Sequence, residues 1–216
     1  MSDLSSISLF DKKDPTTPGY YEPSQTALLL LDFHSMFVQK AGGPKALAAL
    51  HVAVNMRAWA KSEGIQVIHA LIDLNTSTFE TCRYGNKLME TVAIARSSGG
   101  EEPIELSGSD SDDVTFTRTP GHVSALRSPG LDSFLKEKCI KSLILTGLST
   151  SGCVARTAFA ATDAEYVTTV LSDGCADPDE AVHEVMINKI LNKRGYVTTA
   201  AEFQNGFRNV QSRSVA

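Results

Sequence analysis

A continuous run of apolar residues, Ala27-Leu-Leu-Leu-Leu followed by Asp32, most constrains what this chain can fold into. A strand that faces water on one side alternates apolar and polar residues. An unbroken apolar run of strand length indicates a strand that is buried on both faces. Such strands occur in parallel sheets that carry helices on both sides. The run therefore predicts an α/β protein.

Further strand-like runs alternate with helical patterns along the chain. After the first run, strands are predicted over 65–72, 114–117, 143–145, 167–171 and 196–199. Apolar residues recur at helical spacing over 42–64, 78–95, 131–138, 154–162 and 178–195, and residues 97–113 have the composition of a long surface loop. This alternation predicts right-handed βαβ units, and hence a Rossmann-like open six-stranded, mostly parallel sheet with helices on both faces.

The pattern predicts one domain. Residues 1–24 are rich in Ser, Asp and Pro and are predicted to form an N-terminal arm over the surface of the domain. Residues 25–203 form the predicted domain, and residues 204–216 read as a polar C-terminal tail. A chain of 216 residues fits this size.

Composition excludes several classes of partner. The net charge is −5 and no cluster of Lys and Arg is present, so we expect no nucleic acid to bind. No apolar run approaches the roughly 20 residues of a membrane helix. The first residues lack the basic-then-apolar order of a secretory signal. The four cysteines are far apart, which argues against a disulfide framework and a zinc site and predicts a reducing, cytoplasmic location.

The stretch from Lys141 to Thr157 carries the clearest chemical signal. An apolar strand passes through small residues into a turn, and Cys153 opens a helix. A helix N-terminus stabilises a thiolate, and its free backbone N–H groups can bind an oxyanion. A buried structural cysteine fits this spacing equally well.

Two other polar residues are predicted to reach the same edge of the sheet. Ligands of open α/β sheets bind beyond the carboxyl ends of the strands. Asp32 follows the first strand, Arg118 the third, and Cys153 the fourth. Asp32 is either a base for the thiol or a strand-end carboxylate that caps the next turn. His34 and His122 are candidates for substrate contact at this edge, or solvated loop residues. No Gly-rich phosphate loop is present, so no nucleotide cofactor is expected.

The segment Thr146-Gly-Leu-Ser-Thr-Ser-Gly-Cys-Val154, with Asp32 upstream and Ser172-Asp-Gly-Cys-Ala-Asp177 downstream, resembles the isochorismatase-like cysteine hydrolase superfamily. The resemblance implies a catalytic Asp-Lys-Cys triad, in which Cys153 matches the nucleophile and Asp32 the acid/base. It also implies a cis peptide between Leu148 and Ser149, and an oxyanion hole from the N–H groups of Ser149 and Cys153.

Phe37 matches the place of an aromatic residue that lines the family's pocket, although a plain core residue would also fit there. Leu148 is a further candidate for contact with the substrate. The resemblance implies a small-molecule substrate and no cofactor, and assembly into a dimer or tetramer.

The chain departs from the family pattern in two places. Where the family has its lysine, after the third strand, this chain has Arg118. Arginine supplies the positive charge but cannot shuttle a proton, and a surface ion pair is the alternative role for Arg118. Nicotinamidases of the superfamily carry an Asp-x-His metal motif after the second strand, and here that place reads Asp73-Leu-Asn. We therefore expect no metal.

The resemblance implies a cofactor-independent cysteine hydrolase that cleaves a C–N bond of a small amide, carbamoyl or ureido substrate through a thioester-type acyl-enzyme. Two alternatives stay open. One is an isochorismatase-type vinyl-ether hydrolase that releases pyruvate, with Asp32 as the essential acid. The other, motivated by the missing lysine, is a catalytically weak family member that acts as a binding or interaction protein.

Overall fold

Six parallel strands form one sheet in the computed structural model, which describes residues 9–108 and 112–212. The strands are β1 (Thr26–Leu31), β2 (Gln66–Ile72), β3 (Val114–Arg118), β4 (Ser142–Leu148), β5 (Val167–Ala176) and β6 (Tyr196–Thr198). They lie in the order β3-β2-β1-β4-β5-β6, and every adjacent pair is parallel. The predicted six-stranded Rossmann-like sheet is confirmed, and within the described residues it is entirely parallel.

Helices cover both faces of this sheet. They are α1 (Ala46–Glu63), α2 (Gly85–Ser97), α3 (Ile104–Ser107), α4 (Leu131–Glu137), α5 (Ala155–Asp163), α6 (Glu180–Val185) and α7 (Ala200–Ser212). Helices α4 and α5 pack with the chain that follows α6 on one face, and α1, α3 and α7 pack on the other. None of the helices in the described ranges combines the length and apolar character that crossing a bilayer requires.

The four leucines of β1 explain why two helical layers are needed. Leu29 and Leu31 contact the layer of α4 and α5, whereas Leu28 and Leu30 contact the layer of α1 and α7. All four side chains are completely buried. β1 therefore lies at the centre of the core, between the two helical layers. Burial of each leucine contributes roughly 1.5–3 kcal/mol, and this packing fixes the position of the residue that follows the strand.

The long loop and the fifth strand differ from the sequence prediction. Strand β5 continues to Ala176, because its pairing with β4 shifts register between Leu145 and Gly147 and then resumes. Polar residues at this irregularity interrupt the apolar pattern, and for this reason the sequence predicted a strand that ends at residue 171. The predicted loop 97–113 contains α3, whose Leu106 is completely buried. Helix α2 begins at Gly85 rather than at residue 78.

The prediction of a polar C-terminal tail is wrong for residues 204–212, which belong to α7. Ala200, Phe203 and Phe207 recur at helical spacing and bury one face of this helix, with the two phenylalanine rings 5.7 Å apart. Trp59 of α1 packs edge-on against both rings. The exposed polar residues between them conceal this narrow apolar face in the sequence. Residues 213–216 lie outside the described ranges.

The segment predicted as an N-terminal arm is described from residue 9 onward. Phe10 packs edge-on against Phe203 of α7, with ring centroids 5.4 Å apart. The Lys12 ammonium donates to the side chain of Gln211 at 2.7 Å, which joins the segment to the end of α7. Residues 1–8 lie outside the described ranges.

Candidate active site

Three strands bring the predicted site residues together where the strand order reverses. Asp32 directly follows β1, and Arg118 is the last residue of β3. Cys153 lies in the π-helical turn Thr150–Val154, which joins β4 to α5. Since β1 and β4 are neighbours whose crossovers run in opposite directions, a crevice opens between their carboxyl ends, as expected for a doubly wound sheet.

Asp32 and Arg118 form a buried, two-pronged ion pair. Arg118 Nη1 donates to Asp32 Oδ1 at 2.9 Å, and Nη2 donates to Oδ2 at 2.5 Å. The two side chains are only 5% and 2% exposed. Arg118 Nε donates to the His122 carbonyl oxygen at 2.9 Å, which fixes the guanidinium plane. Burial alone would lower the pKa of Arg118, but the negative charge of Asp32 outweighs it and raises that pKa, so the guanidinium stays charged.

The backbone of Asp32 turns sharply out of the sheet. Its φ is 54°, in the left-handed region that most residues avoid at a cost of roughly 1–2 kcal/mol. Its N–H still donates to the carbonyl oxygen of Ala70 in β2, at 3.1 Å. This hydrogen bond to β2 and the left-handed turn together direct the carboxylate toward Arg118.

Cys153 is the third member of this cluster. Its Sγ lies 3.5 Å from Arg118 Nη2 and 3.8 Å from the hydroxyl of Thr157, and the residue is 3% exposed. Burial raises the pKa of the Cys153 thiol, and the negative charge of Asp32 raises it further. Arg118 and Thr157 lower that pKa, but they offset only part of the rise. Burial therefore disfavours the thiolate that a helix start alone would favour.

The turn before Cys153 is held by residues that follow β5. The carboxylate of Asp177 accepts hydrogen bonds from the Ser151 N–H at 2.8 Å and the Ser151 hydroxyl at 2.7 Å. The Thr150 hydroxyl lies 2.8 Å from Nδ1 of His183. His183 is itself buried. The sequence analysis used Asp177 only as part of the family resemblance and did not predict that either residue supports this turn.

The peptide bond that joins Leu148 to Ser149 is cis, at the place that the family resemblance indicates. Gly152, two residues after Thr150, has φ −94° and ψ −108°, outside the helical region. Ser149 and Cys153 both lie on the wall of the same cavity.

A cavity of about 390 Å³ lies above the ion pair. Ligand sites of proteins occupy roughly 300–1,000 Å³, so this volume suits a small molecule. Asp32, Arg118, Ser149 and Cys153 contribute polar groups. The remaining wall is mainly apolar, with contributions from Phe37, Ile72, Leu88, Val123, Leu148 and Pro178. Of the four residues predicted to contact the substrate, Phe37, His122 and Leu148 line this cavity and His34 does not.

His34 instead ties a loop to the sheet. Its Nδ1 lies 2.5 Å from the carbonyl oxygen of Gly100, and its Nε2 accepts a hydrogen bond from the Ile72 N–H at 3.2 Å. An accepting Nε2 and a donating Nδ1 describe a neutral imidazole. Both nitrogens are thus occupied and the ring is 2% exposed, so no face is free for a substrate. The prediction of His34 as a substrate contact is corrected on these grounds.

His122 lines the cavity. Its ring stacks on Phe79 with centroids 5.0 Å apart and planes inclined by 27°. Its carbonyl oxygen binds Arg118, so one residue contributes to both the cavity wall and the ion pair. Within the described ranges, His, Cys, Asp and Glu side chains form no group of three or more that could hold a metal ion.

The fold and the cavity define an α/β protein with a cysteine-centred pocket at the switch point of a parallel sheet. The chain belongs to the isochorismatase family, since residues 26–202 match the model of the Isochorismatase domain. It is thus an isochorismatase-like hydrolase.

Two curated proteins and a solved structure illustrate the relationship. A probable inactive nicotinamidase from Arabidopsis thaliana is 26% identical over 77% of this chain and 88% of its own length. The maleamate amidohydrolase of Pseudomonas putida is 23% identical over 85% of this chain and 87% of its own length. A cysteine hydrolase from Pseudomonas syringae superposes with a TM-score of 0.73 at 19% identity, covering 88% of this chain and 95% of that one. At this identity the structural likeness shows the fold alone.

Proposed function

We propose that this protein is a cofactor-independent cysteine hydrolase that cleaves a C–N bond of a small amide, carbamoyl or ureido substrate. The observation that carries the proposal is the buried contact of Cys153 with the Asp32–Arg118 pair at the floor of a small-molecule cavity. The name of one distant relative, the maleamate amidohydrolase, supports an amide substrate.

The proposed reaction begins from the neutral thiol. As Cys153 Sγ attacks the carbonyl carbon, its proton moves to the Asp32 carboxylate. The negative charge passes to the carbonyl oxygen, where the N–H groups of Ser149 and Cys153 stabilise it. The tetrahedral intermediate then collapses, the C–N bond breaks, and Asp32 gives the proton to the departing nitrogen. Water next attacks the thioester, and Asp32 takes one of its protons. The C–S bond then breaks, Asp32 returns the proton to Cys153 Sγ, and the carboxylic acid is released.

The raised pKa of the thiol fits this order of events. Because burial disfavours a free thiolate, the thiolate forms as the proton leaves for Asp32, so attack and proton transfer are coupled. Arg118 Nη2 lies 3.5 Å from the sulfur and stabilises its developing negative charge. Arg118 keeps its own proton throughout, because the pKa of an arginine is roughly 12 or higher. Its role is to hold the carboxylate and to offset charge.

The second candidate function is ligand binding by a catalytically weak family member. The observation that favours it is the same ion pair, because both oxygens of Asp32 already accept hydrogen bonds from Arg118. An arginine that binds the base this firmly reduces its tendency to take a proton. The name of the inactive nicotinamidase in A. thaliana is consistent with this reading.

A panel of small amides, ureas and carbamoyl compounds tests the proposal through ammonia release. We expect turnover by the wild-type protein, loss of roughly a thousandfold or more in Cys153→Ala, and an acyl-enzyme mass adduct at Cys153. Cys139→Ala is the matched control, since Cys139 is exposed and lies away from the cavity. Full turnover by Cys153→Ala would exclude the mechanism.

The same panel separates the alternatives. Release of pyruvate from isochorismate without ammonia from any amide would identify the vinyl-ether reaction. Binding without turnover would identify the binding protein. In that case Arg118→Lys, which restores the family's residue and frees one oxygen of Asp32, is expected to create measurable hydrolysis.

A further inference from the structure

Thr157 contacts the sulfur of Cys153 from a side that faces away from the cavity. The residue lies about one helical turn after Cys153, on α5, and it is completely buried. Its hydroxyl oxygen is 3.8 Å from Cys153 Sγ. Cys153 lines the cavity, whereas Thr157 does not. The hydroxyl is therefore placed to act on the sulfur and not to bind the substrate.

The sulfur is the acceptor that the geometry leaves for this hydroxyl. The oxygen of Thr157 already accepts a hydrogen bond, because the Ala125 N–H donates to it at 2.9 Å. Two other helical threonines, Thr91 and Thr162, donate their hydroxyl hydrogens to main-chain carbonyl oxygens one turn earlier. Among the residues that the structure describes, Thr157 makes no such bond, and Cys153 Sγ is the acceptor within its reach.

One short segment orients two donors around the sulfur. The His122 carbonyl oxygen accepts from Arg118 Nε at 2.9 Å, and the Ala125 N–H a little further along the chain binds the Thr157 hydroxyl. Ala125 is the first residue of a 3-10 turn, so its N–H has no partner within that turn. The segment thus fixes both the charged donor, Arg118, and the neutral donor, Thr157, before any charge develops on Cys153.

The thiol hydrogen of Cys153 has its own acceptor in the Asp32 carboxylate, so the Thr157 hydroxyl is the donor in its contact with the sulfur. We propose that Thr157 is a further catalytic residue, which donates a hydrogen bond to Cys153 Sγ whenever the sulfur carries negative charge. This inference rests on the proposed function for the reaction, and on the contacts of Thr157 alone for the hydrogen bond.

In the proposed reaction the sulfur carries developing charge twice. The first time is during attack, as its proton moves to Asp32, and the second is during release of the acid, as the C–S bond breaks. Thr157 keeps its own proton at both steps and supplies only a hydrogen bond. A donor that is already held in place stabilises the charge without any reorganisation of the site.

The reactivity of the thiol tests this hydrogen bond without turnover. Thr157→Val keeps the shape of the side chain and removes the hydroxyl. Because the thiolate is the reactive species, we expect iodoacetamide to label Cys153 in this variant roughly tenfold or more slowly than in the wild type between about pH 7 and 9. Mass spectrometry of the labelled peptide measures the rate. Thr157→Ser keeps the hydroxyl and should restore a rate close to that of the wild type.

A purely structural role for Thr157 predicts the opposite result. Thr157→Val leaves the Ala125 N–H unpaired, so a site that merely loosens would expose the thiol and label faster. Thr162→Val is the matched control, since Thr162 lies on the same helix and its hydroxyl donates to the Phe159 carbonyl oxygen at 2.9 Å. Labelling of Cys153 in Thr157→Val that is as fast as in Thr162→Val, or faster, overturns the inference.

Turnover separates this inference from the proposed function. We expect Thr157→Val to lower kcat on an amide by a similar factor and to leave KM unchanged, since the residue does not line the cavity. Slow labelling of Thr157→Val in a protein that hydrolyses no amide would contradict the proposed function and keep the hydrogen bond to the sulfur. Turnover that depends on Cys153 and is indifferent to Thr157 would keep the proposed function and overturn the catalytic role of Thr157.

Discussion

Breaking the Asp32–Arg118 pair is expected to destabilise the fold as well as to remove activity. Asp32→Asn removes the negative charge, and asparagine tolerates the left-handed φ of 54° at this position, so no new backbone strain enters. Arg118→Met removes the positive charge and keeps an unbranched apolar side chain. Each variant leaves one charge buried, with side-chain exposure of 2% for the arginine and 5% for the aspartate.

The size of the loss follows from burial. Two unit charges about 4 Å apart interact by about 4 kcal/mol at an effective dielectric constant of about 20. Removing one partner of a buried pair costs about 3–5 kcal/mol, mostly because the other charge remains desolvated. We expect a loss of this size in the free energy of unfolding for each single variant. The double variant buries no charge, so its loss should be about 1–3 kcal/mol smaller than the sum of the two.

Urea unfolding of the four proteins, followed by circular dichroism, measures these differences. The pair Lys136–Asp132 is a suitable control, since its ammonium and carboxylate are 2.6 Å apart but the side chains are 69% and 45% exposed. Lys136→Met should cost less than about 1 kcal/mol. A loss below about 1 kcal/mol in either single variant of the buried pair would refute the reasoning, as would strict additivity in the double variant.

Three further predictions concern a close contact, the thiol and the C-terminal helix. Gly147→Ala should destabilise the protein by more than about 2 kcal/mol, because a Cβ at this position would overlap the backbone of β1. Gly64 also has a positive φ, of 77°, but the space around it is open, so Gly64→Ala should cost only about 1 kcal/mol. Equal losses of unfolding free energy for Gly147→Ala and Gly64→Ala in urea would contradict this contrast. Cys153 should react with iodoacetamide more slowly than the exposed Cys139 at pH 7 and gain rate as pH rises, because burial raises the pKa of its thiol. Fast labelling of Cys153 that does not change between pH 6 and 8, read by mass spectrometry, would show a thiolate instead. Phe207→Ala should lower the free energy of unfolding by about 3–5 kcal/mol, since this ring is completely buried; a loss typical of a surface site would mean that α7 contributes little to the core.

Much of the site could be predicted because polar residues interrupt strong apolar patterns. Asp32 ends a run of four leucines, and Cys153 follows an apolar strand through a series of small residues. In a parallel sheet such positions converge at one edge. Arg118 was predicted for the same edge, and the structure brings all three together. Their catalytic roles stay a proposal.

The supports of the site could not be predicted, because they depend on contacts between distant segments. Asp177 and His183 hold the turn before Cys153 through hydrogen bonds that span more than twenty residues of chain. His34 has the spacing of a site residue, yet the loop at Gly100 occupies one of its nitrogens. Sequence spacing predicts that a residue lies near one edge of the sheet, but it does not show which distant segments of the chain contact that residue.

The sequence by itself determined the α/β class, because unbroken apolar runs indicate a sheet that is buried on both faces. It also determined the order of strands and helices along the chain and the identity of the polar residues at the strand ends. Only the tertiary structure decided the electrostatics of the site. The raised pKa of the Cys153 thiol and the pairing of Asp32 with Arg118 follow from burial and from the distances between side chains. These quantities exist only once the strands and loops have packed together.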